Sequence, residues 1–274
     1  MGLSPWTWVA ALAAGATAAY GFLVEPFWIR MVDYTVWHPD WPADVAGFTL
    51  VQLSDLHGRV QAFGRADVQR WLAEADLIAI TGDLYSPTRP RAQLVAWLDR
   101  LPAGRTRFVS GNHDYRRRVL DIRPWEPPDE VRLDNRVECY TSPTGRRIWL
   151  TGVADLGRGR PRWPSVGMGA PAVLLSHRPD AILASGADCC QLVVAGHTHG
   201  GQVALPGLGP ILRHSRLPRG KTAGRVLWPD GRTLVVSRGL GTSELPVRLF
   251  ARPEVVRVVF APPAGSDPPV PPNG

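Results

Sequence analysis

The chain of 274 residues contains only three cysteines, Cys139, Cys189 and Cys190. Three thiols do not make a disulfide framework, so the sequence excludes a small secreted domain stabilised by several disulfides. No internal repeat is visible either, which excludes solenoids and propellers. With 45% hydrophobic and 20% charged residues, the composition is that of an ordinary globular protein. The length suffices for one large core or two smaller ones.

Charged residues are missing from one long stretch near the N-terminus. Residues 6–24, WTWVAALAAGATAAYGFLV, contain no Asp, Glu, Lys or Arg. As a helix this stretch would be roughly 28 Å long, which is enough to cross the hydrocarbon core of a bilayer. Because no Lys or Arg precedes it and it is long for a signal peptide, an uncleaved anchor is favoured over a secretory signal.

This stretch divides the chain into four predicted parts. Residues 1–30 would form the membrane anchor, 31–45 a connector and 46–261 the folded domain, while the proline-rich end, 262–274, is predicted to be disordered. Arg30 follows the apolar stretch and no basic residue precedes it, which favours a cytoplasmic folded domain without fixing the side of the membrane.

The folded part alternates apolar runs with amphipathic segments. We predict strands at residues 48–53, 77–80, 107–110, 147–153, 172–176, 191–195, 233–237, 247–251 and 254–260. Helices are predicted over 68–75 and 94–101, where apolar residues recur at helical spacing. Because strand–helix alternation comes first and strands alone follow, we expect an α/β core with a second sheet packed on it.

Positive charge is in excess, with a formal net charge of +7. It concentrates in three groups, Arg116–Arg118, then Arg158 with Arg160 and Arg162, then Arg213 with Arg216, Arg219 and Lys221. Such a balance favours anionic ligands, either phosphates or an anionic membrane surface. Solvated arginines explain any single group at least as well.

Residues that commonly bind metals follow the predicted strands directly. These candidates are Asp55, His57, Asp83, Asn112, His113, His177, His197 and His199. They include five of the seven histidines and would lie at the carboxyl ends of buried strands, where open α/β sheets gather their ligands. His38 and His214 lie outside this pattern, so we expect structural or surface roles for them.

The candidates also share a chemistry. Carboxylate, carboxamide and imidazole groups suit divalent Mn, Fe or Zn, and the lack of cysteine argues against a structural zinc site. Their number exceeds the needs of one tetrahedral ion and fits a two-metal site. In the segment VVAGHTHGGQV (193–203), His197 and His199 would share one side if the extended path continued past Gly196.

The ordered set D-x-H (55–57), G-D (82–83), G-N-H-D (111–114), H (177) and G-H-T-H (196–199) resembles the calcineurin-like metallophosphoesterase superfamily. The segments GHTHGGQVALP and SRGLGTSELPVRLFARPEV, with the N-terminal apolar stretch, resemble its bacterial membrane-associated phosphodiesterase branch. The resemblance implies a four-layer αββα sandwich preceded by a transmembrane helix, with the metals at one edge. It also implies anchoring in a bacterial inner membrane.

The resemblance further implies two divalent metal ions and a role for each candidate. The first ion would be bound by Asp55, His57 and His199, the second by Asn112, His177 and His197, and both by Asp83. His113 would face the substrate as the acid. The implied reaction is hydrolysis of a phosphodiester, in a membrane- or envelope-linked substrate, by a hydroxide that bridges the ions.

Other functions remain open from the sequence. A phosphomonoesterase or a nuclease of the same superfamily is an alternative enzyme, although no nucleic-acid-binding module is recognisable. A metal-free interaction scaffold is a third possibility, but every ligand position is filled by a competent residue. The protein phosphatases of the superfamily carry G-D-x-x-D-R-G, and here Ser86 and Pro87 replace the second Asp and the Arg, which argues against that activity.

Overall fold

Two β-sheets lie face to face at the centre of the computed structural model, which describes residues 4–86, 92–115, 125–163, 165–166 and 171–261. The first sheet consists of β1 (Arg30–Val36), β2 (Thr49–Leu53), β3 (Leu77–Ile80), β4 (Thr106–Phe108) and β13 (Glu254–Phe260), numbered in chain order. Its spatial order is β1–β13–β2–β3–β4. The neighbours β2, β3 and β4 are parallel, as strand–helix alternation predicts, while β13 is antiparallel to β2.

The second sheet has six strands in the order β11–β12–β8–β7–β6–β5. Their bounds are β5 (Arg136–Thr141), β6 (Arg147–Gly152), β7 (Ala172–Leu175), β8 (Leu192–Ala195), β11 (Gly224–Leu227) and β12 (Thr233–Val236). The four central strands are parallel, and the edge strands β5 and β11 are antiparallel to their neighbours. A short hairpin, β9 (Ala204–Leu205) with β10 (Gly209–Pro210), stands apart from both sheets.

Three apolar layers hold the sheets and their coverings together. Between the sheets, Leu50, Leu150 and Val194 belong to one fully buried cluster. On the outer face of the first sheet lie helices α2 (Ala66–Glu74) and α3 (Ala92–Leu98), as their spacing of apolar residues predicts. The outer face of the second sheet is covered by two 3-10 turns, Pro179–Leu183 and Ser185–Ala187. The predicted α/β sandwich of four layers is therefore confirmed.

An N-terminal helix, α1 (Pro5–Leu23), precedes the sandwich and is continued by a 3-10 turn, Glu25–Phe27. Ser4 caps it, and its side chains are exposed up to Ala19, while Tyr20 is half-buried and Gly21 is buried against the domain. Among the described residues, this helix with its turn is the one segment long and apolar enough to cross a membrane.

Several strands differ from the sequence prediction. Residues 31–45, predicted to be a connector, begin within strand β1, which pairs in parallel with β13. β1, β5 and β11 are edge strands with exposed polar side chains, so their hydrophobic signal is weak. The predicted strand 247–251 is wrong, because Phe250 adopts a left-handed φ of 56° there. The predicted tail, 262–274, lies outside the described residues.

We predict that Leu50→Ala destabilises the folded domain by about 2–5 kcal/mol, because it opens a cavity between the sheets. The matched control is Leu227→Ala, at a position that is 72% exposed, where we expect a change within about 0.5 kcal/mol. Urea unfolding of the full chain in detergent measures both. Similar losses in the two variants would contradict a core between the sheets.

Candidate metal centre

The eight candidate residues predicted from the sequence lie beyond strand ends that meet at one edge of the sandwich. Asp55 and His57 follow β2, Asp83 follows β3, and Asn112 with His113 follows β4. From the second sheet, His177 follows β7, and His197 with His199 follows β8. The parallel direction of these strands brings their carboxyl ends to the same edge.

The backbone at this edge turns in an unusual way. A left-handed φ, between 44° and 70°, occurs at Asp55, His57, Asp83, His197 and His199. Non-glycine residues rarely adopt this conformation, and it persists only where surrounding contacts enforce it, often at functional sites. The extended path considered for the histidine pair therefore ends at Gly196, and the two histidines are brought together by turns.

The first of two groups of donor atoms contains His57, His199 and Asp55, all buried. Their side chains converge closely, with 3.1 Å between Nε2 of His57 and Nε2 of His199. His199 Nε2 also lies 3.4 Å from Asp55 Oδ1. Asp83 approaches the same group, with its Oδ2 at 3.6 Å from His57 Nε2.

The second group surrounds Nε2 of His177, which is fully buried. This nitrogen lies 3.2 Å from Asn112 Oδ1 and 3.0 Å from His197 Nδ1. Asp83 Oδ2 stands 3.4 Å away. The same carboxylate oxygen thus lies at the boundary of both groups, as expected for a bridging ligand.

Backbone carbonyls fix the orientation of two of these imidazoles. His57 Nδ1 lies 3.1 Å from the Tyr85 carbonyl oxygen, and His177 Nδ1 lies 2.8 Å from that of Thr81. A carbonyl only accepts, so Nδ1 carries a proton in each ring, and a neutral ring leaves a lone pair on Nε2. Burial alone would lower the pKa of His177, but the Asp83 carboxylate raises it to about 10, so a bound cation would replace the proton on Nε2. Such carbonyl partners are typical of metal-binding histidines.

The donor groups differ in protonation, since burial raises the pKa of Asp55 to about 6. Burial lowers the pKa of His57 to about 4 and, with the neighbouring His177, that of His197 to about 2, so both rings are neutral at neutral pH. Burial alone would raise the pKa of Asp83, but the adjacent histidines outweigh it and hold the pKa well below its usual range. Neutral imidazole and ionised carboxylate are the forms that bind metals.

His113 lies at the side of the first group. Its backbone N–H donates to Asp83 Oδ1 at 2.7 Å, and its Nε2 is 3.9 Å from Asp83 Oδ2. The ring centre is 4.8 Å from that of His57, in an edge-to-face arrangement. With His57 and Asp83, His113 forms a third set of donor atoms within 4.8 Å of one another, although its Nε2 is farther from Asp83 Oδ2 than those of His57 and His177.

Arg178 is a site residue that the sequence pattern does not reveal. It donates from Nε to Asp155 at 2.8 Å and from its terminal nitrogen to Asn112 Oδ1 at 3.3 Å. Its other terminal nitrogen lies 2.8 Å from His197 Nε2. The sequence does place Arg178 directly after His177, and this position could have indicated a cation beside the second group.

Asp114, the last residue of G-N-H-D, connects two of the loops. Its carboxylate accepts backbone hydrogen bonds from Asp83, Leu84 and Gly111, at 2.8–2.9 Å. Burial and the nearby charge of Asp83 raise the pKa of Asp114 to about 7. This residue therefore holds the loop after β3 against the loop after β4.

Arg248 lies behind the first group and is fully buried. Its guanidinium is 3.3 Å from His199 Nδ1 and also donates to the backbone carbonyls of Ala251 and Arg238. Burial lowers the pKa of Arg248 to about 9. A strand is predicted over 247–251 because the run is apolar, and the sequence therefore does not indicate the contact of Arg248 with His199.

A cavity of about 580 Å³ opens beside the second group. Arg178, Arg216 and His214 line it, together with Leu156 and Leu183. His214 is exposed, in line with the expected surface role, and its ring is 6.1 Å from that of His197. Of the predicted basic groups, Arg116–Arg118 lies outside the described residues.

Comparisons with known proteins agree with this geometry. Residues 48–201 match the family model described as calcineurin-like phosphoesterase. The chain is 32% identical over 268 residues to an uncharacterized metallophosphoesterase, YkuE, of Bacillus subtilis, covering 89% of this chain and 92% of the relative. It is 26% identical over 263 residues to the phosphodiesterase YaeI of Escherichia coli, covering 90% and 93% of the two chains.

Two further similarities are more distant. A Danio rerio transmembrane protein with a metallophosphoesterase domain is 27% identical over 285 residues, covering 93% of this chain and 62% of that protein. The solved structure of TT1561 from Thermus thermophilus gives a TM-score of 0.41 at 13% identity, covering 71% of this chain and 90% of that one.

We predict that Gly196→Ala disrupts the first group. A Cβ at this position would lie 1.9 Å from Ser54 Oγ and 2.3 Å from Asp55 Oδ2, so Asp55 must move. We expect weaker Mn²⁺ binding and a loss of stability of about 1–3 kcal/mol. Elemental analysis and urea unfolding of the full chain measure the two effects.

The matched control is Gly104→Ala, because a Cβ there meets no atom within 4 Å and the residue has no positive φ. This variant should bind Mn²⁺ like the wild type. Equal metal content in the two variants would contradict the close approach of Gly196 to Asp55.

Proposed function

The chain belongs to the calcineurin-like phosphoesterase family, and from this premise we propose that it is a two-metal phosphodiesterase acting on a membrane- or envelope-linked substrate. The observation that carries the proposal is the arrangement of donor atoms in two groups that share the Asp83 carboxylate. A single ion would not need both groups.

We assign the ligands as follows: the first ion to Asp55, His57 and His199, the second to Asn112, His177 and His197, and both to Asp83. The mixture of oxygen and nitrogen donors suits Mn, Fe or Zn. When bound, such a pair of ions activates water and neutralises charge on the transferring phosphoryl group. The protein holds the donors in place through the Thr81 and Tyr85 carbonyls and through Asp114.

His113 is our candidate for the acid that protonates the leaving oxygen. Its backbone is fixed by Asp83, and its side chain is 9% exposed, so the ring lies within reach of a substrate bound at the two groups. General acid catalysis typically contributes about 10²–10⁴-fold to the rate. The neighbouring Arg178 offers a guanidinium to a non-bridging phosphate oxygen.

A diester is favoured over a monoester by the space beside the second group. The cavity of about 580 Å³ with Arg178, Arg216 and His214 provides room for a second substituent on phosphorus. The Escherichia coli relative is named a phosphodiesterase. Ser86 in place of the second Asp of G-D-x-x-D-R-G argues against a protein phosphatase.

The membrane location is proposed from helix α1. Its 19 residues match the thickness of a bilayer core, at about 1.5 Å per residue. The Danio rerio relative is named a transmembrane protein. We propose that residues 1–30 anchor the folded domain, 46–261.

We predict that His113→Ala retains its metal but loses about 10²–10⁴-fold in kcat on a diester with an alkoxide leaving group. The loss should be much smaller on bis(p-nitrophenyl) phosphate, because p-nitrophenolate leaves without protonation. Steady-state kinetics and elemental analysis of the same preparation measure this. Loss of metal, or equal losses on the two diesters, would contradict the role of an acid.

A control for this variant is His38→Ala, because His38 pairs with Asp40 after β1 and takes no part in the two groups. Wild-type kinetics are expected for it on both substrates.

The substrate class is tested with metal-loaded full chain on a model diester, the matching monoester, a membrane lipid extract and single-stranded DNA. We expect a higher kcat/KM on the diester than on the monoester, and a product from the lipid extract. Preferential cleavage of DNA would contradict the proposed membrane-linked substrate. A higher kcat/KM on the monoester would contradict the proposed phosphodiesterase activity.

A further inference from the structure

A short hairpin beside the candidate metal centre exposes large apolar side chains. Within residues 205–212, here named the apolar hairpin, Leu205 is 40% exposed, Leu208 65%, Ile211 51% and Leu212 61%. Single exposed leucines are common on protein surfaces, but four large apolar side chains within eight residues mark an interaction surface.

The apolar hairpin lies close to the end of helix α1, because one segment, 248–251, is hydrogen-bonded to both. The Arg248 N–H donates to the Gly21 carbonyl at 2.9 Å. The Phe250 N–H donates to the Glu25 carboxylate at 2.9 Å. The last turn of α1 and its following residues are thus fixed to segment 248–251.

The same segment also holds the start of the hairpin. The Leu249 N–H donates to the Gln202 carbonyl, and the Ala204 N–H donates to the Leu249 carbonyl, each at 2.8 Å. The hairpin therefore begins beside the same short segment that fixes the end of α1.

The end of α1 sets the level of the bilayer surface. If α1 spans the hydrocarbon core, Gly21 and Glu25 lie at the headgroup level. Phe27 and Trp28, each 52% exposed, follow directly, as aromatic residues do at membrane interfaces. Phe250, which is 58% exposed, continues the apolar surface toward the hairpin at the same level.

Basic residues border the apolar hairpin. Arg213, Arg216 and Arg219 follow it and are exposed. Apolar side chains next to exposed arginines fit the boundary between acyl chains and anionic headgroups. This combination indicates an anionic bilayer as the partner rather than a second protein.

The hairpin is also attached to the candidate metal centre. Gly201 lies two residues after His199 and packs under the hairpin, where a Cβ would be 2.3 Å from Pro210 Cβ. We propose that the apolar hairpin is a second membrane contact, inserting its leucines into an anionic bilayer, so that the metal centre opens at the level of the lipid headgroups. A lipid-linked phosphodiester would then be cleaved without leaving the membrane. This inference rests on the proposed anchor and phosphodiesterase activity.

Photolabelling tests the contact independently of catalysis. The full chain is reconstituted into nanodiscs of phosphatidylglycerol and phosphatidylcholine that contain a phospholipid with a diazirine in its acyl chain. After irradiation, mass spectrometry should locate label on α1 and on residues 205–212, and none on Leu227, which is 72% exposed on β11. Label on α1 alone would overturn the hairpin contact, whereas absence of label from α1 would overturn the anchor and the contact together.

A double variant, Leu208→Ser with Leu212→Ser, provides the second measurement. Hairpin labelling should fall about tenfold or more, since two leucine side chains lose their favourable transfer into hydrocarbon. Turnover of a water-soluble diester should stay at the wild-type level, which separates the contact from the catalytic proposal. The matched control, Leu227→Ser, should leave hairpin labelling unchanged. Undiminished labelling in the double variant would overturn the proposal.

Discussion

The buried carboxylate of Asp83 is the interaction on which the candidate centre depends. Its Oδ2 lies 3.6 Å from His57 Nε2 and 3.4 Å from His177 Nε2, and these two rings come from different sheets. A buried charge is costly unless it is compensated by opposite charge and hydrogen bonds. The loops of the two sheets therefore meet at a carboxylate that favours positive charge, which the proposed metal ions would supply.

The surrounding backbone is built to hold that carboxylate. Asp83 itself has a φ of 54°, and its backbone N–H donates to Asp114, which also binds Gly111 in the next loop. Left-handed residues cost free energy, of order 1–3 kcal/mol each, so the dense hydrogen bonding of the loops must offset this strain. The parallel strands bring the donor residues to a common edge, and the loops after the strands set the orientation of the donor side chains.

The sequence predicts the eight candidate residues because polar side chains directly after buried strands are visible in the pattern. The pattern of strands also predicts an α/β core with a second sheet packed on it, and the family resemblance adds the four layers. The sequence does not reveal β1, in which only Val36 is fully buried while Asp33 and Thr35 are exposed, so the apolar pattern is weak. Arg178 and Arg248 are hidden for another reason: their roles depend on distances to His197 and His199, across 19 and 49 residues, which no local spacing records.

The sharing of Asp83 by two ions is tested most directly by titrating the wild-type full chain with Mn²⁺ and recording its electron paramagnetic resonance spectrum. Ions in a carboxylate-bridged pair are about 3.5–4 Å apart. At two bound ions per chain, the account predicts the spectrum of an exchange-coupled pair. Two ions per chain with the six-line spectrum of isolated Mn²⁺ would contradict it.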